Sequence, residues 1–176
     1  MATSVEWIDK VLSLGQNNCW KMGAANTLVN CFASIDLPDE AATVALGRKL
    51  APLLAAGDVL ALTGDLGAGK TSLARAILQA RASSKIEVPS PTFTLAQVYE
   101  LPDITIWHFD LYRLQAPEEV FEIGWEEALS TAASLVEWPE RLGRLLPESA
   151  LTIALDFKHD GRVARLSGDE TWQIRW

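Results

Sequence analysis

The chain has 176 residues, 49% of them hydrophobic and 22% charged, enough for one domain with a sizeable core; collagen-like, coiled-coil and wholly disordered chains are excluded. Fifteen Lys and Arg against 23 Asp and Glu leave a net charge of −8, so no broad phosphate-neutralising surface for DNA or RNA is expected, and any nucleic-acid role runs through a partner. Cys19 and Cys31 stand twelve apart with no CxxC and no neighbouring histidine, which points away from zinc or a disulfide framework and toward reduced thiols in the cytoplasm. The longest charge-free N-terminal stretch, 22–35, has 14 residues and includes Asn26 and Asn30, too short and polar to cross a membrane. Glu6 and Asp9 near the start do not suit an export signal.

In chain order, residues 1–36 show no sustained period and read as an N-terminal extension of unknown role, followed by a single domain over 37–176. Asp39 is placed to cap a helix reaching about residue 56, with Ala42, Leu46, Leu50, Leu53 and Leu54 on one face, Pro52 kinking its last turns and Gly57 ending it. The apolar run 59–62 has the length of a buried strand. After a glycine-rich turn, Leu73, Ala76, Ile77 and Ala80 repeat at helical spacing over 71–80. Pro89 and Pro91 make 88–91 a loop. The β-rich runs 94–99 and 104–109, separated by a turn at Pro102 and Asp103, form a hairpin or two neighbouring strands. A short helix over 118–129, a strand over 134–136, a helix opened by Pro139 and reaching Leu146, and a strand over 151–157 come next. A turn at 159–161 and closing strands over 162–166 and 172–176 complete the chain. This order predicts a three-layer α/β fold around a mostly parallel central sheet with antiparallel additions.

Gly64, Asp65, Leu66, Gly67, Ala68, Gly69, Lys70 and Thr71 match G-x-x-x-x-G-K-[ST], between a buried strand and an amphipathic helix as that motif requires, which makes the fold P-loop NTPase-like. Glycines let backbone N–H groups turn toward phosphate oxygens, and the helix N-terminus adds partial positive charge. Lys70 is placed to span the β- and γ-phosphates of a nucleotide, and Thr71 to offer its hydroxyl to Mg²⁺. Ser72 completes the segment.

Such a site also needs an acidic residue at a strand end. Asp110 and Glu137 both qualify, because open α/β sheets bind ligands at the carboxyl ends of their strands. His108 shares a strand face with Asp110 and reads as a hydrogen-bonded structural histidine rather than a general base. Arg113 pairs with Asp110 or meets a phosphate, the pairing being preferred. The stiff segment 90–94 is either a nucleotide-sensing loop or an ordinary proline loop. Most of the seven tryptophans are core residues, whereas Trp138, next to Glu137, can cover the nucleotide or a partner.

Taken together, GDLGAGKTS at 64–72, SPTFTL at 90–95, HFDLYRL at 108–114, the E-x-G-W segment at 122–125 and EWPER at 137–141 resemble the bacterial threonylcarbamoyladenosine tRNA-modification ATPases, the TsaE family, over about 39–165. The resemblance implies a cytoplasmic ATPase, weak alone, working on the TsaD–TsaB pair that installs threonylcarbamoyl on adenosine 37 of tRNAs reading codons that begin with A. The tRNA is then met only indirectly. Carried over by position, Lys70 is the phosphate lysine, Thr71 and Glu137 are the Mg²⁺ ligands and Asp110 is a second acidic residue in hydrolysis. Thr43 resembles the residue near the adenine, Trp138 the tryptophan beside the metal carboxylate and 90–94 the segment that responds to nucleotide. Arg162 occupies a late glycine-arginine position familiar from the family. Residues 1–36 have no counterpart. Two other readings use the same loop: a small-molecule kinase, which lacks an evident basic lid here, and a nucleotide-dependent binding switch without chemistry.

Overall fold

The computed structural model describes residues 31–82 and 86–176, so the readings of Cys19 and of most of the N-terminal extension lie outside the described residues. Among the described residues seven strands form one sheet in the order β1-β7-β6-β2-β5-β4-β3, with β1 Cys31–Leu37, β2 Val59–Thr63, β3 Ala96–Glu100, β4 Thr105–Asp110, β5 Ala133–Glu137, β6 Leu151–Lys158 and β7 Gly161–Ser167. The four central strands β6, β2, β5 and β4 run parallel, and β1, β7 and β3 are antiparallel additions. This is the expected P-loop NTPase-like three-layer arrangement.

Alternation along β2 assigns its two faces, as the pleat of any strand dictates. Leu60 and Leu62 join Leu135 and Ile153 beneath helix α1 (Glu40–Leu50) and helix α2 (Lys70–Arg81) through Leu46, Leu50, Leu73 and Ile77. Val59 and Ala61 face the other layer, where Phe109, Val136, Val120, Leu142 and Trp125 pack. That second layer consists of 3-10 turns and the short helix α3 (Trp125–Thr131).

Local chemistry explains where the elements depart from expectation. Asp39 caps α1 through Ala42 N–H at 2.8 Å, but the helix stops at Leu50 and tightens to 3-10 over 51–53 instead of continuing to 56. Pro52 lacks the N–H and its ring crowds the carbonyl four residues back, so it ends this helix rather than kinking it. Gly57, at φ 87°, belongs to the turn before β2. The single helix expected over 118–129 is two pieces, a 3-10 segment Pro117–Ile123 and α3. They are divided by Gly124 at φ 91°, where a Cβ would meet the Trp107 ring at 2.5 Å. Pro139–Leu145 is 3-10 and is broken at Gly143.

The runs around 94–109 form a hairpin, with Leu101 N–H bonded to the Ile104 carbonyl at 3.0 Å. The first of its strands starts at Ala96, because Leu95 sits at φ 64°. The closing strand expected over 172–176 is instead helix α4 (Glu170–Arg175). Asp169 caps it through Trp172 N–H at 3.1 Å, and the Trp172 indole and Arg175 anchor it to the Ser149 carbonyl and to Asp58. An edge strand not anticipated from the pattern, β1, pairs with β7 and buries Ile35 and Leu37, so residues 31–36 are part of the sheet. Among the described residues no helix is long and apolar enough to cross a membrane.

Candidate functional site

β2 delivers the chain into the loop 64–69 at the carboxyl end of the parallel strands, and α2 starts at Lys70. Gly64, Gly67 and Gly69 take φ values of 134°, 79° and 106°, a region L side chains rarely adopt. At Gly64 a Cβ would also run into the Leu155 carbonyl, so the loop lies close against β6. Asp65, Leu66 and Gly67 are exposed and Ala68 is buried.

The Lys70 side chain folds back over the loop. Its Nζ donates to the carbonyls of Gly64 at 2.6 Å and Asp65 at 2.9 Å and lies 3.8 Å from the centre of the Trp138 ring. Burial holds the Lys70 amine below its usual pKa, while Glu137, Glu140, Asp110 and Asp65 pull it back up. Thr71 Oγ1, on the first turn of α2, donates to Glu137 Oε2 at 2.8 Å across 66 positions of sequence.

The parallel register of β4 and β5 sets Asp110 opposite Glu137, which puts both carboxylates on one rung at the loop end of the sheet. They are nearly inaccessible, at 4% and 2% exposure. Glu137 Oε1 lies 2.8 Å from His108 Nε2. Asp110 Oδ2 accepts from Thr92 Oγ1 at 2.7 Å and Ser90 Oγ at 3.3 Å, and Oδ1 accepts from Tyr112 N–H at 3.2 Å. The segment 90–94 is thereby tied to the acidic pair. Trp138 has φ 60° and packs against Tyr112 with ring centres 4.9 Å apart.

Arg113 does not pair with Asp110, whose oxygens are taken by hydroxyls and a backbone amide. Its guanidinium lies over the exposed Phe93 ring at 4.5 Å. Arg162 reaches the loop from β7, donating from Nη2 to the Gly67 carbonyl at 3.0 Å. The loop, Lys70, Thr71, Asp110, Glu137, Trp138 and Arg162 therefore come together. Thr43 keeps its hydroxyl on the Asp39 carbonyl of its own helix at 3.4 Å, and Ser72 is exposed on α2. The bond from His108 to Glu137 and the Tyr112 ring against Trp138 have no signal in local spacing, since both depend on register and on the loop path.

The donors suit a hard cation. A hydroxyl and a carboxylate meet beside the first turn of a helix, and oxygen ligands of this type suit Mg²⁺, which keeps waters and takes phosphate oxygens as its remaining ligands. Among the described residues no group of three or more His, Cys, Asp or Glu forms a self-contained metal cage.

Comparison with known proteins places the chain in context. The family model for threonylcarbamoyl adenosine biosynthesis protein TsaE matches residues 37–165. Proteins named tRNA threonylcarbamoyladenosine biosynthesis protein TsaE are similar in sequence. The one from Rickettsia felis is 42% identical over 120 residues, covering 68% of this chain and 70% of its own. The one from Haemophilus influenzae is 38% identical over 136 residues, covering 74% and 85%. In structure, the chain is similar to the crystal structure of Bacillus subtilis YdiB, with a TM-score of 0.68 and 25% identity, covering 85% of this chain and 94% of that one.

Proposed function

The chain belongs to the TsaE family of threonylcarbamoyl adenosine biosynthesis proteins, and from that membership we propose that it is a Mg²⁺-dependent ATP hydrolase serving threonylcarbamoylation of adenosine 37 in tRNA. It acts in the cytoplasm, attached to TsaD and TsaB, and its turnover resets the complex. The observation that carries the proposal is the 2.8 Å contact between Thr71 and Glu137, which joins the start of α2 to the end of β5 directly beside the glycine loop.

In this reading the backbone amides of 64–71 and the N-terminus of α2 receive the triphosphate. Lys70 exchanges the carbonyls of Gly64 and Asp65 for β- and γ-phosphate oxygens, which are stronger acceptors for an ammonium group. Thr71 and Glu137 hold the metal ion. Mg²⁺, when bound, neutralises charge building on the transferring phosphoryl oxygens. Asp110, held on both oxygens, orients the attacking water through the lone pair left on Oδ1 and accepts its proton. Trp138 covers the phosphate end, Arg162 steadies the loop from the far side, and Thr43 and Ser72 contribute at the periphery. With a net charge of −8, the chain meets tRNA through its partners.

The test is ATP hydrolysis by purified Lys70→Ala protein together with TsaD and TsaB. A loss on the order of 10²-fold is expected, the scale seen when a charge-stabilising donor is removed. Hydrolysis at the parent rate would overturn the assignment of the loop.

A further inference from the structure

His108 takes no part in the steps above, yet it is the most deeply buried ionisable residue at the site, with 0% exposure. It stands on β4 two residues before Asp110, on the face that carries Ile106 and Leu135 into the core beneath α2. An imidazole in such surroundings is costly unless its nitrogens are bonded. Only one is. Nε2 meets Glu137 Oε1 at 2.8 Å, whereas Nδ1 is buried without a hydrogen-bond partner among the described residues. A carboxylate can only accept, so Nε2 is the nitrogen that donates. A leucine would fill the same space without stranding a nitrogen, so packing alone does not account for histidine here.

We propose that His108 is a positioning residue for Glu137, fixing Oε1 so that Oε2 stays directed at Thr71 and the cation. The terminal torsion of a glutamate is broad, and one hydroxyl contact does not define it. With Nε2–H on one oxygen and Thr71 Oγ1–H on the other, the carboxylate plane is held from both ends. The bond also crosses from β4 to β5, so the orientation derives from the register of the sheet rather than from a loop. Partners that orient a metal ligand in this way tune the affinity of the site without touching the ion.

The inference rests on Glu137 being the metal carboxylate, and the experiment separates the two. Mn²⁺ binding to the full chain with a non-hydrolysable ATP analogue is followed by electron paramagnetic resonance, and analogue affinity in EDTA and thermal melting are measured in parallel. His108→Leu is expected to weaken Mn²⁺ binding about 10–100-fold with analogue affinity in EDTA unchanged, and His108→Gln, which keeps an amide donor at similar reach, to recover most of it. His108→Met serves the same purpose should the leucine variant not fold. Mn²⁺ affinity unchanged in the donor-free variant overturns the positioning role, as does equal weakening in the leucine and glutamine variants. No Mn²⁺ uptake by the parent with analogue overturns the metal-site reading itself, and this inference with it.

Discussion

Tyr99 shows how a residue away from the chemistry can still carry a measurable signature. Its hydroxyl is buried on β3 without a hydrogen-bond partner among the described residues, and burial raises its pKa, with Arg75 pulling the other way. The folded phenol keeps its proton where the unfolded one loses it, so the folded state binds more protons above pH 10.0 and stability falls as pH rises through that range. Tyr99→Phe is expected to unfold within about 1 kcal/mol of the parent at neutral pH, because no bond is lost, and to lack this alkaline decline. Denaturant unfolding of both proteins from pH 8 to 11 measures the difference. At the same scale, the loop residues 64–71 were legible because the motif is contiguous and each residue type has a stated job. The strand-end carboxylates Asp110 and Glu137 were legible as candidates too. Their bonds were not. Asp110 opposite Glu137, and His108 bonded to Glu137 rather than to a neighbour, follow from the β4–β5 register, which local spacing does not contain.

The packing of α1 on α2 depends on a missing side chain. A Cβ on Gly47 would lie 2.5 Å from Ala76 Cβ and 2.8 Å from Ala76 backbone carbon, in the interior of the pair that supports the start of α2. Alanine is the better helix former by about 1 kcal/mol, yet forcing the two helices apart costs typically 1–3 kcal/mol. Gly47→Ala is therefore expected to lower stability, by urea denaturation, despite its favourable propensity; an unchanged or raised midpoint would show that the pair relaxes freely. Periodicity revealed α1, β2 and α2 because each is long or strongly patterned. It misled at the C-terminus, where Trp172, Ile174 and Trp176 alternate like a strand while Asp169 supplies the cap that starts α4. Tertiary anchors decide that contest, since Trp172 and Arg175 both reach partners far back in the sequence.

On the scale of the whole molecule, strand order places the glycine loop, Asp110, Glu137 and Arg162 at one end of the parallel strands, where the sheet's topology leaves room for a ligand. The class of fold was readable from the succession of elements, but the sheet order was not, because β6 comes from the far end of the chain to pair with β2, and β7 then pairs with β6 and β1. Charge belongs to this scale as well. An excess of eight negative charges predicts no retention of tRNA by the isolated chain in filter binding at about 0.15 M salt, with retention only when the proposed partners TsaD and TsaB are added. Firm binding by the chain alone would assign it a direct role in tRNA capture.

The strand preceding α1 has a further consequence. β1 shields the outer flank of β7, and its Leu37 lies in register with Arg162, the residue that reaches Gly67. A shortened protein starting at residue 38 would bare that flank along a run of unpaired amides and carbonyls, an adhesive seam on the strand whose Arg162 side chain reaches the phosphate loop. Such a fragment is expected to self-associate as its concentration rises in sedimentation velocity. Its nucleotide grip is expected to slacken as well, although no deleted residue belongs to the loop.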